Sequence, residues 1–159
     1  MRLKIRLIVY DFDGVLTDNR VWVSEDGKET VACNRSDGWW MGEIRKLDLE
    51  QVILSTEVNP VVSARGRKLG MEVLQGQKNK EDGLAAIVAK RNISCEEILY
   101  VGNDCNDLGC MRKVGYPIAP QDSHPEILRI AHHVIPANGG SGIVRHVYDW
   151  LISQGYLIP

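Results

Sequence analysis

The chain has 159 residues, of which 44% are hydrophobic and 25% charged, and its formal net charge at pH 7 is −2. This balance predicts one compact domain over residues 1–159. The small net charge gives no reason to expect a nucleic-acid partner, and no apolar run is long enough to span a membrane. The N-terminal segment turns acidic too soon for a secretory signal, and the 4 cysteines lack Cys-x-x-Cys spacing, so we expect free thiols in a reducing cytoplasm.

Short apolar runs recur along the chain, rich in Val, Ile and Leu. Near-continuous runs of this kind are typical of strands that are buried on both faces of a parallel sheet. The runs cover residues 5–11, 50–56, 71–75, 96–104, 116–119 and 132–136.

Helix signals lie between these runs. One helix is predicted to start at Asn59 as cap, with Pro60 in its first position, and to stop at Gly70. The other predicted helices cover residues 37–47, 79–90, 106–113, 124–131 and 141–154. Alternating strands and helices predict an α/β fold, a Rossmann-like doubly wound parallel sheet.

One segment departs from this alternation. Residues 19–34 contain two strand-like stretches around the turn at residues 24–27. We therefore expect a β-hairpin flap inserted directly after the first strand.

The strongest chemical signal is the segment DFDGVLTD at residues 11–18. Asp11 and Asp13 follow a buried strand, and ligands of open α/β sheets bind at the carboxyl ends of strands. Two carboxylates this close fit Mg²⁺ binding, with one acid as nucleophile and the other as proton shuttle. The simpler alternative is that these residues form an acidic surface turn. A calcium-binding loop is excluded because the further oxygen ligands of such a loop are missing.

These residues resemble the first signature of the haloacid dehalogenase (HAD) superfamily. The later signatures follow in order: Ser55 is similar to the hydroxyl residue that binds the phosphoryl group, Lys80 to the conserved lysine, and residues 102–107 to the acidic fourth signature. The resemblance covers most of the chain.

The resemblance implies a phosphatase mechanism. Asp11 would attack phosphorus and also hold Mg²⁺, while Asp13 would protonate the leaving alcohol, activate water, and touch the metal through its carbonyl. Lys80 and Mg²⁺ would stabilise the charge on the phosphoryl oxygens.

The fourth signature departs from the family pattern. It usually reads Gly-Asp, and that aspartate binds the metal, but this chain has Asn103 there. An amide oxygen can ligate Mg²⁺ without adding charge. Asn103 or Asp104 is therefore the expected ligand, and Asp107 is expected to orient the cluster from behind.

The chain is similar to the capless branch of sugar-acid phosphatases, with only the hairpin in the first cap position. Asp37 and Gly38 resemble that branch's Asp-Gly element, and residues 139–145 resemble its Gly-Gly-x-Gly-x-x-Arg element, which ends at Arg145. The resemblance implies substrate-binding roles for these residues. It also implies a homotetramer in which each hairpin closes a neighbour's site.

The second signature bears on the substrate, a small phosphorylated sugar acid. Ser55-Thr56-Glu57, together with Lys68, is similar to the enzymes for nine-carbon acids, such as 2-keto-3-deoxynononate 9-phosphate or N-acylneuraminate 9-phosphate. Thr56 replaces their usual glycine. The alternatives are a 3-deoxy-D-manno-octulosonate 8-phosphate phosphatase, or a weakly active tetramerising or regulatory module associated with an acylneuraminate cytidylyltransferase.

Overall fold

The structure is a computed structural model that describes residues 4–156. Its core is a sheet of six parallel strands in the order β5-β4-β1-β6-β7-β8. The strands of this sheet are β1 (Leu7–Tyr10), β4 (Glu50–Leu54), β5 (Glu72–Leu74), β6 (Ile98–Val101), β7 (Tyr116–Pro120) and β8 (His133–Ile135). All six match predicted apolar runs, and β1 and β6 are buried along their whole length.

Helices cover both faces of the sheet, as a doubly wound fold requires. The helices are α1 (Ser36–Arg45), α2 (Val61–Leu69), α3 (Lys80–Arg91), α4 (Leu108–Met111), α5 (Pro125–Ile130) and α6 (Ile143–Ser153). Apolar residues of α1, α2 and α6 pack into the core on one face, and those of α3, α4 and α5 pack on the other. No helix among residues 4–156 has the length and apolar character needed to cross a membrane.

Helix boundaries follow the local capping signals. The helix expected after Asn59 begins one residue later, with Pro60 as its N-cap, and ends at Gly70, whose φ of 64° is left-handed. The predicted helix 106–113 is shorter than expected, because a 3-10 turn, Cys105–Asp107, precedes α4.

The predicted hairpin is present as a separate two-stranded sheet, β2 (Trp22–Val23) and β3 (Glu29–Thr30). Gly27 closes its turn with a φ of 80°, and its N–H donates to the Ser24 carbonyl at 2.9 Å. The hairpin leaves the sheet after the loop that follows β1 and returns through Cys33, which bridges to Thr17.

The strand order places a topological switch point between β1 and β6. From β1 the chain moves outward to β4 and β5, then crosses back to β6 and continues to β7 and β8 on the other side. Ligands of open α/β sheets bind at such a point, beyond the carboxyl ends of the strands. Asp11 and Gly102 follow directly after β1 and β6, so both signature loops meet there.

Candidate active site

A buried lysine joins two carboxylates at the switch point. Lys80 is the first residue of α3, which Asn79 caps. Only 2% of the surface of Lys80 is exposed to solvent. Its Nζ lies 2.6 Å from Asp11 Oδ1 and 2.7 Å from Asp107 Oδ1. Asp11 Oδ1 also accepts the Phe12 N–H at 2.7 Å. Lys80 is therefore in direct contact with Asp11, the predicted nucleophile.

Asp107 is completely buried and fully hydrogen-bonded. Its Oδ1 accepts from Lys80 and from the Tyr100 hydroxyl at 2.8 Å, and its Oδ2 accepts the Asn103 N–H at 2.9 Å and the Asp104 N–H at 3.3 Å. Asp107 thus holds the fourth-signature loop and the lysine together, which agrees with its expected orienting place. Sequence reasoning missed Tyr100, because a tyrosine in an apolar strand carries no chemical signal.

Asn103 lies against the paired acids. With its amide nitrogen turned toward them, it donates to Asp11 Oδ2 at 2.9 Å and to the Asp13 backbone carbonyl at 3.0 Å. The backbone of Asn103 is fixed in turn, since its carbonyl accepts the His124 N–H at 2.8 Å. One amide therefore bridges the two oxygens that the resemblance assigns to the metal.

Asp104, the alternative metal ligand, lies apart from this group. It is exposed, and its Oδ1 caps the following 3-10 turn by accepting the Cys105 N–H at 2.7 Å. Within the described part of the chain, no three His, Cys, Asp or Glu side chains gather as a metal site. The available donors for a cation are a carboxylate, a carbonyl and an amide oxygen, all of the hard type that Mg²⁺ prefers.

Burial governs the charges at this centre. Burial, followed by repulsion from Asp107, raises the pKa of Asp11 well above 3.8, and Lys80 opposes the rise. Burial also disfavours the charged ammonium, but Asp11 and Asp107 outweigh it and raise the pKa of Lys80. Lys80 is therefore the cation that balances two buried acids.

Asp13 faces a cleft of about 330 Å³. The cleft is lined by Asp13, Asn19, Val21, Glu29, Val31, Glu57 and Val61. Burial and then repulsion from Glu57 raise the pKa of Asp13, with a smaller contribution from Glu29 and an opposing one from Lys80. A raised pKa suits a carboxyl group that must deliver a proton.

The second signature follows β4 at the same edge. Ser55 is 1% exposed, and its Oγ accepts the Glu57 N–H at 3.1 Å. Thr56 is half-buried beside it. Glu57 Oε1 accepts the N–H groups of Val58 and Asn59 at 2.8 and 2.9 Å. Glu57 therefore stabilises the loop that leads into α2 and also lines the cleft.

Asp37 lies inside the protein rather than in this cleft. It is 1% exposed, and its Oδ1 accepts the Val144 N–H at 3.3 Å in the first turn of α6. Burial raises its pKa to about 6, while Val144 and then Arg65 oppose the rise. Gly38 is half-buried in α1 and also lies outside the cleft lining. The structure therefore places both residues among packing contacts within the chain rather than in the cleft.

Two predicted substrate residues lie on helix surfaces. Lys68 is exposed on the last turn of α2, and within residues 4–156 no ion pair joins it to Glu57. Arg145 is exposed on α6, with its guanidinium 5.8 Å from the Trp40 ring centre and its Nε 3.7 Å from Asp149. The substrate-binding roles of both residues stay predictions.

The glycine-rich segment before α6 supports the loop after β1. The Gly140 N–H donates to the Val15 carbonyl at 2.9 Å, and Gly139 packs on the Gly14 backbone so closely that an added Cβ would lie 2.0 Å from its oxygen. Only glycine allows this approach. The segment therefore buttresses the loop that carries Asp13.

A larger cleft of about 540 Å³ lies at the opposite, amino-terminal edge of the sheet. It is lined by Arg6, Arg45, Asp48, Leu49, Glu50, Gln51, Glu72 and Arg91. We place the active site in the smaller cleft, because only that one includes an acid of the first signature.

Comparisons with known proteins agree with this geometry. The haloacid dehalogenase-like hydrolase family matches residues 45–147. The 3-deoxy-D-manno-octulosonate 8-phosphate phosphatase KdsC of Escherichia coli (strain K12) is 37% identical over 155 residues, which cover 96% of this chain and 82% of that protein.

Solved structures give the same result. A protein described as an HAD family hydrolase, from Streptomyces avermitilis MA-4680, superposes with a TM-score of 0.90 at 42% identity, covering 95% of this chain and 88% of that chain. The 3-deoxy-D-manno-octulosonate 8-phosphate phosphatase of Moraxella catarrhalis, solved with a magnesium ion, a phosphate ion and KDO, has a TM-score of 0.90 at 25% identity and covers 96% and 88%.

These findings confirm the predicted α/β fold, the superfamily with its capless sugar-acid phosphatase branch, and the enzyme class, a phosphoric monoester hydrolase. The chain belongs to the haloacid dehalogenase-like hydrolases.

Proposed function

We propose that this enzyme hydrolyses a sugar acid phosphate through an aspartyl-phosphate intermediate on Asp11. The observation that carries the proposal is the contact of Lys80 with both Asp11 and Asp107, at 2.6 and 2.7 Å, beside Asp13 at the switch point. A fixed ammonium beside the nucleophile stabilises the charge that develops on a transferring phosphoryl group.

The reaction has two steps with balanced proton transfers. In the first, a carboxylate oxygen of Asp11 attacks phosphorus, the bond from phosphorus to the sugar oxygen breaks, and Asp13 gives its proton to the leaving alkoxide. In the second, Asp13 takes a proton from water as that water attacks phosphorus. Inorganic phosphate leaves and Asp11 is restored.

We propose Mg²⁺ as the cofactor, held by Asp11, the Asp13 carbonyl and the Asn103 side chain. Asp11 Oδ2 and the Asp13 carbonyl lie 2.9 and 3.0 Å from the same end of the Asn103 amide, which would turn over to present its oxygen to the ion, whereas Asp104 is exposed and caps the following turn. When bound, the ion would neutralise charge on the phosphoryl oxygens. The three ligands carry one formal negative charge, so we expect weak binding.

For the substrate, we propose 3-deoxy-D-manno-octulosonate 8-phosphate ahead of the nine-carbon acids that the sequence favours. Relatives that carry the octulosonate phosphatase name are 37% identical over nearly the whole chain. Glu57 itself still favours a nine-carbon acid, so both esters belong in the assay.

We propose that the chain folds as a single domain and that four copies assemble into a homotetramer. We also propose that the enzyme acts in the cytoplasm. The hairpin presents Val21, Trp22 and Val23 with 48%, 70% and 63% of their surfaces exposed. An apolar patch of this kind marks a protein interaction site. The cleft that Asp13 faces is also open to solvent, and the hairpin of a second copy would exclude water from it.

Turnover of both sugar acid phosphates with Mg²⁺ tests the proposal. Asp11→Asn should lower kcat by at least about 10³-fold, since it removes the nucleophile. Asp82→Asn, on the exposed surface of α3, is the matched control and should leave kcat unchanged. Equal activity of Asp11→Asn and wild type would contradict the proposal.

The regulatory-module alternative rests on Asn103, and Asn103→Asp separates it from an enzyme. An inactive wild type that gains turnover in Asn103→Asp would favour the module. An active wild type would favour the enzyme. Asn106→Asp places the same charge on an exposed position of the same loop and controls for local charge.

A further inference from the structure

The hairpin contributes a carboxylate to its own chain's cleft. Glu29 of β3 lines the cleft together with Asp13 and Glu57. Its Oε2 accepts the Asn59 amide at 3.3 Å, which fixes the side chain against the loop after β4. Among the described residues nothing donates to Glu29 Oε1, so one oxygen remains available to a ligand.

Glu57 is held in the same way on the other side. Its Oε1 takes both backbone N–H groups of the following loop, Val58 and Asn59. No donor from the described part of the chain reaches its Oε2. The cleft therefore presents two positioned carboxylates, each with one free oxygen, next to the acid that protonates the leaving group.

The chemistry of the lining selects the part of the substrate that fits here. The lining includes three acids and no lysine, arginine or histidine. Such a surface repels a carboxylate and accepts hydrogen bonds from hydroxyl groups. Its volume of about 330 Å³ suits one sugar-sized group. The polyol carbons beside the phosphoester are therefore expected in this cleft, with the sugar's carboxylate directed out of it.

We propose that Glu29 is a specificity-determining residue that accepts a hydrogen bond from a substrate hydroxyl near the phosphoester. Glu29 binds the substrate of its own subunit. This role differs from the one proposed for the exposed face of the hairpin, which is to close a neighbour's site. This inference rests on the proposed function, because it presupposes a polyol phosphate substrate at Asp11.

The test compares polyol phosphates with p-nitrophenyl phosphate, which has no hydroxyl group that could donate a hydrogen bond to Glu29. For Glu29→Ala, the ratio of kcat/KM for octulosonate 8-phosphate to that for p-nitrophenyl phosphate should fall by about tenfold or more, as expected for a lost hydrogen bond to a charged group. Glu29→Gln keeps an acceptor and should lose less. Glu25→Ala, exposed in the same hairpin, should leave the ratio unchanged.

A second variant separates substrate reading from hairpin anchoring. Asn59→Ser shortens the side chain so that it no longer reaches Glu29, but keeps an oxygen that can accept the Val61 N–H as Asn59 Oδ1 does. If Asn59→Ser lowers the ratio as much as Glu29→Ala, Glu29 acts by anchoring the hairpin and the proposal is overturned. An unchanged ratio in Glu29→Ala overturns it as well.

Failure of the proposed function gives a different result. A wild type that hydrolyses p-nitrophenyl phosphate and mannitol 1-phosphate, but no sugar acid phosphate, contradicts the proposed substrate. The ratio measured with mannitol 1-phosphate then decides the role of Glu29, since that ester also carries hydroxyls beside its phosphate.

Discussion

Tyr100 is the residue that links the sheet to the acidic centre. Its hydroxyl donates to Asp107 Oδ1 at 2.8 Å, the oxygen that also binds Lys80. Tyr100→Phe should therefore lower the free energy of unfolding by about 1–3 kcal/mol, the usual value for a hydrogen bond to a charged group. It should also lower kcat more than it changes KM, because Lys80 loses its fixed position. Urea unfolding and steady-state kinetics measure the two effects.

Tyr10→Phe is the matched control for Tyr100. The Tyr10 hydroxyl is equally buried but donates to Gln51 Oε1 at 3.2 Å, on the other side of the sheet from Asp107. It should lose stability and keep kcat. If the two variants lower kcat equally, the link from Tyr100 to Lys80 has no catalytic importance.

Among the elements, α1 and α6 meet at a buried acid. Asp37 accepts the Val144 N–H, and burial raises its pKa from 3.8 to about 6. Well below pH 3.8 the group is neutral in both the folded and the unfolded state, so it costs nothing there. As the pH rises from about 4 to about 6, the acid ionises in the unfolded state but stays protonated inside the protein, so the folded state loses stability relative to the unfolded one. Above pH 6 the loss is complete.

Asp37→Asn should remove this pH dependence while keeping an oxygen for Val144. The stability of the variant relative to wild type should increase by about 3 kcal/mol between pH 4 and pH 8, the order expected for a shift of about two pKa units. Urea unfolding at both pH values measures it. Asp149→Asn, exposed on α6, should show no such trend. A constant difference for Asp37→Asn would contradict the argument.

The glycine-rich segment before α6 supports the loop after β1. Gly139→Ala would place a Cβ 2.0 Å from the Gly14 carbonyl oxygen. Overpacking of this kind costs about 1–3 kcal/mol, and displacement of Gly14 should also lower kcat. Gly42→Ala, in α1 with nothing within 4 Å, is the control and should be neutral or stabilising. Thermal unfolding and turnover assays test both, and a Gly139→Ala enzyme with normal kcat would show that the segment does not position Asp13.

Elements were predictable from the sequence where a pattern repeats locally. All six sheet strands follow apolar runs, and α2 ends at Gly70 as predicted, because glycine readily adopts the left-handed conformation there. Asp11 and Lys80 were found because the signatures keep their order along the chain. Their contact could also be anticipated, since parallel strands and the helices after them bring their ends to one edge.

Contacts between distant residues were not predictable in the same way. Glu29 gives no local signal, because its partner Asn59 lies 30 residues away in the chain. Tyr100 is close to Asp107 in the chain, but a tyrosine in an apolar strand carries no chemical signal. The glycine-rich element at residues 139–145 was singled out, but its packing on Gly14 was not predicted. Lys68 was singled out by resemblance alone. It is exposed on the last turn of α2, and its substrate-binding role stays a prediction.

For the whole molecule, we propose different tasks for the two faces of the hairpin. One side of it brings Val21, Glu29 and Val31 to the cleft of its own chain. Trp22 is 70% exposed and is not among the described apolar residues that pack in or against the two core clusters. A small domain with an open cleft gains both solubility and a closed active site if this surface packs on another copy.

Trp22→Ser should therefore dissociate the proposed tetramer. A buried tryptophan at an interface often contributes 2 kcal/mol or more, so a loss of about 30-fold in affinity per contact should lower the mass observed at micromolar concentration. Turnover should fall in parallel as the cleft opens to water. Sedimentation velocity measures the mass, and Val134→Ser, on the partly exposed β8, is the control. A wild type that sediments as a monomer would contradict the proposal, as would a Trp22→Ser variant that remains a fully active tetramer.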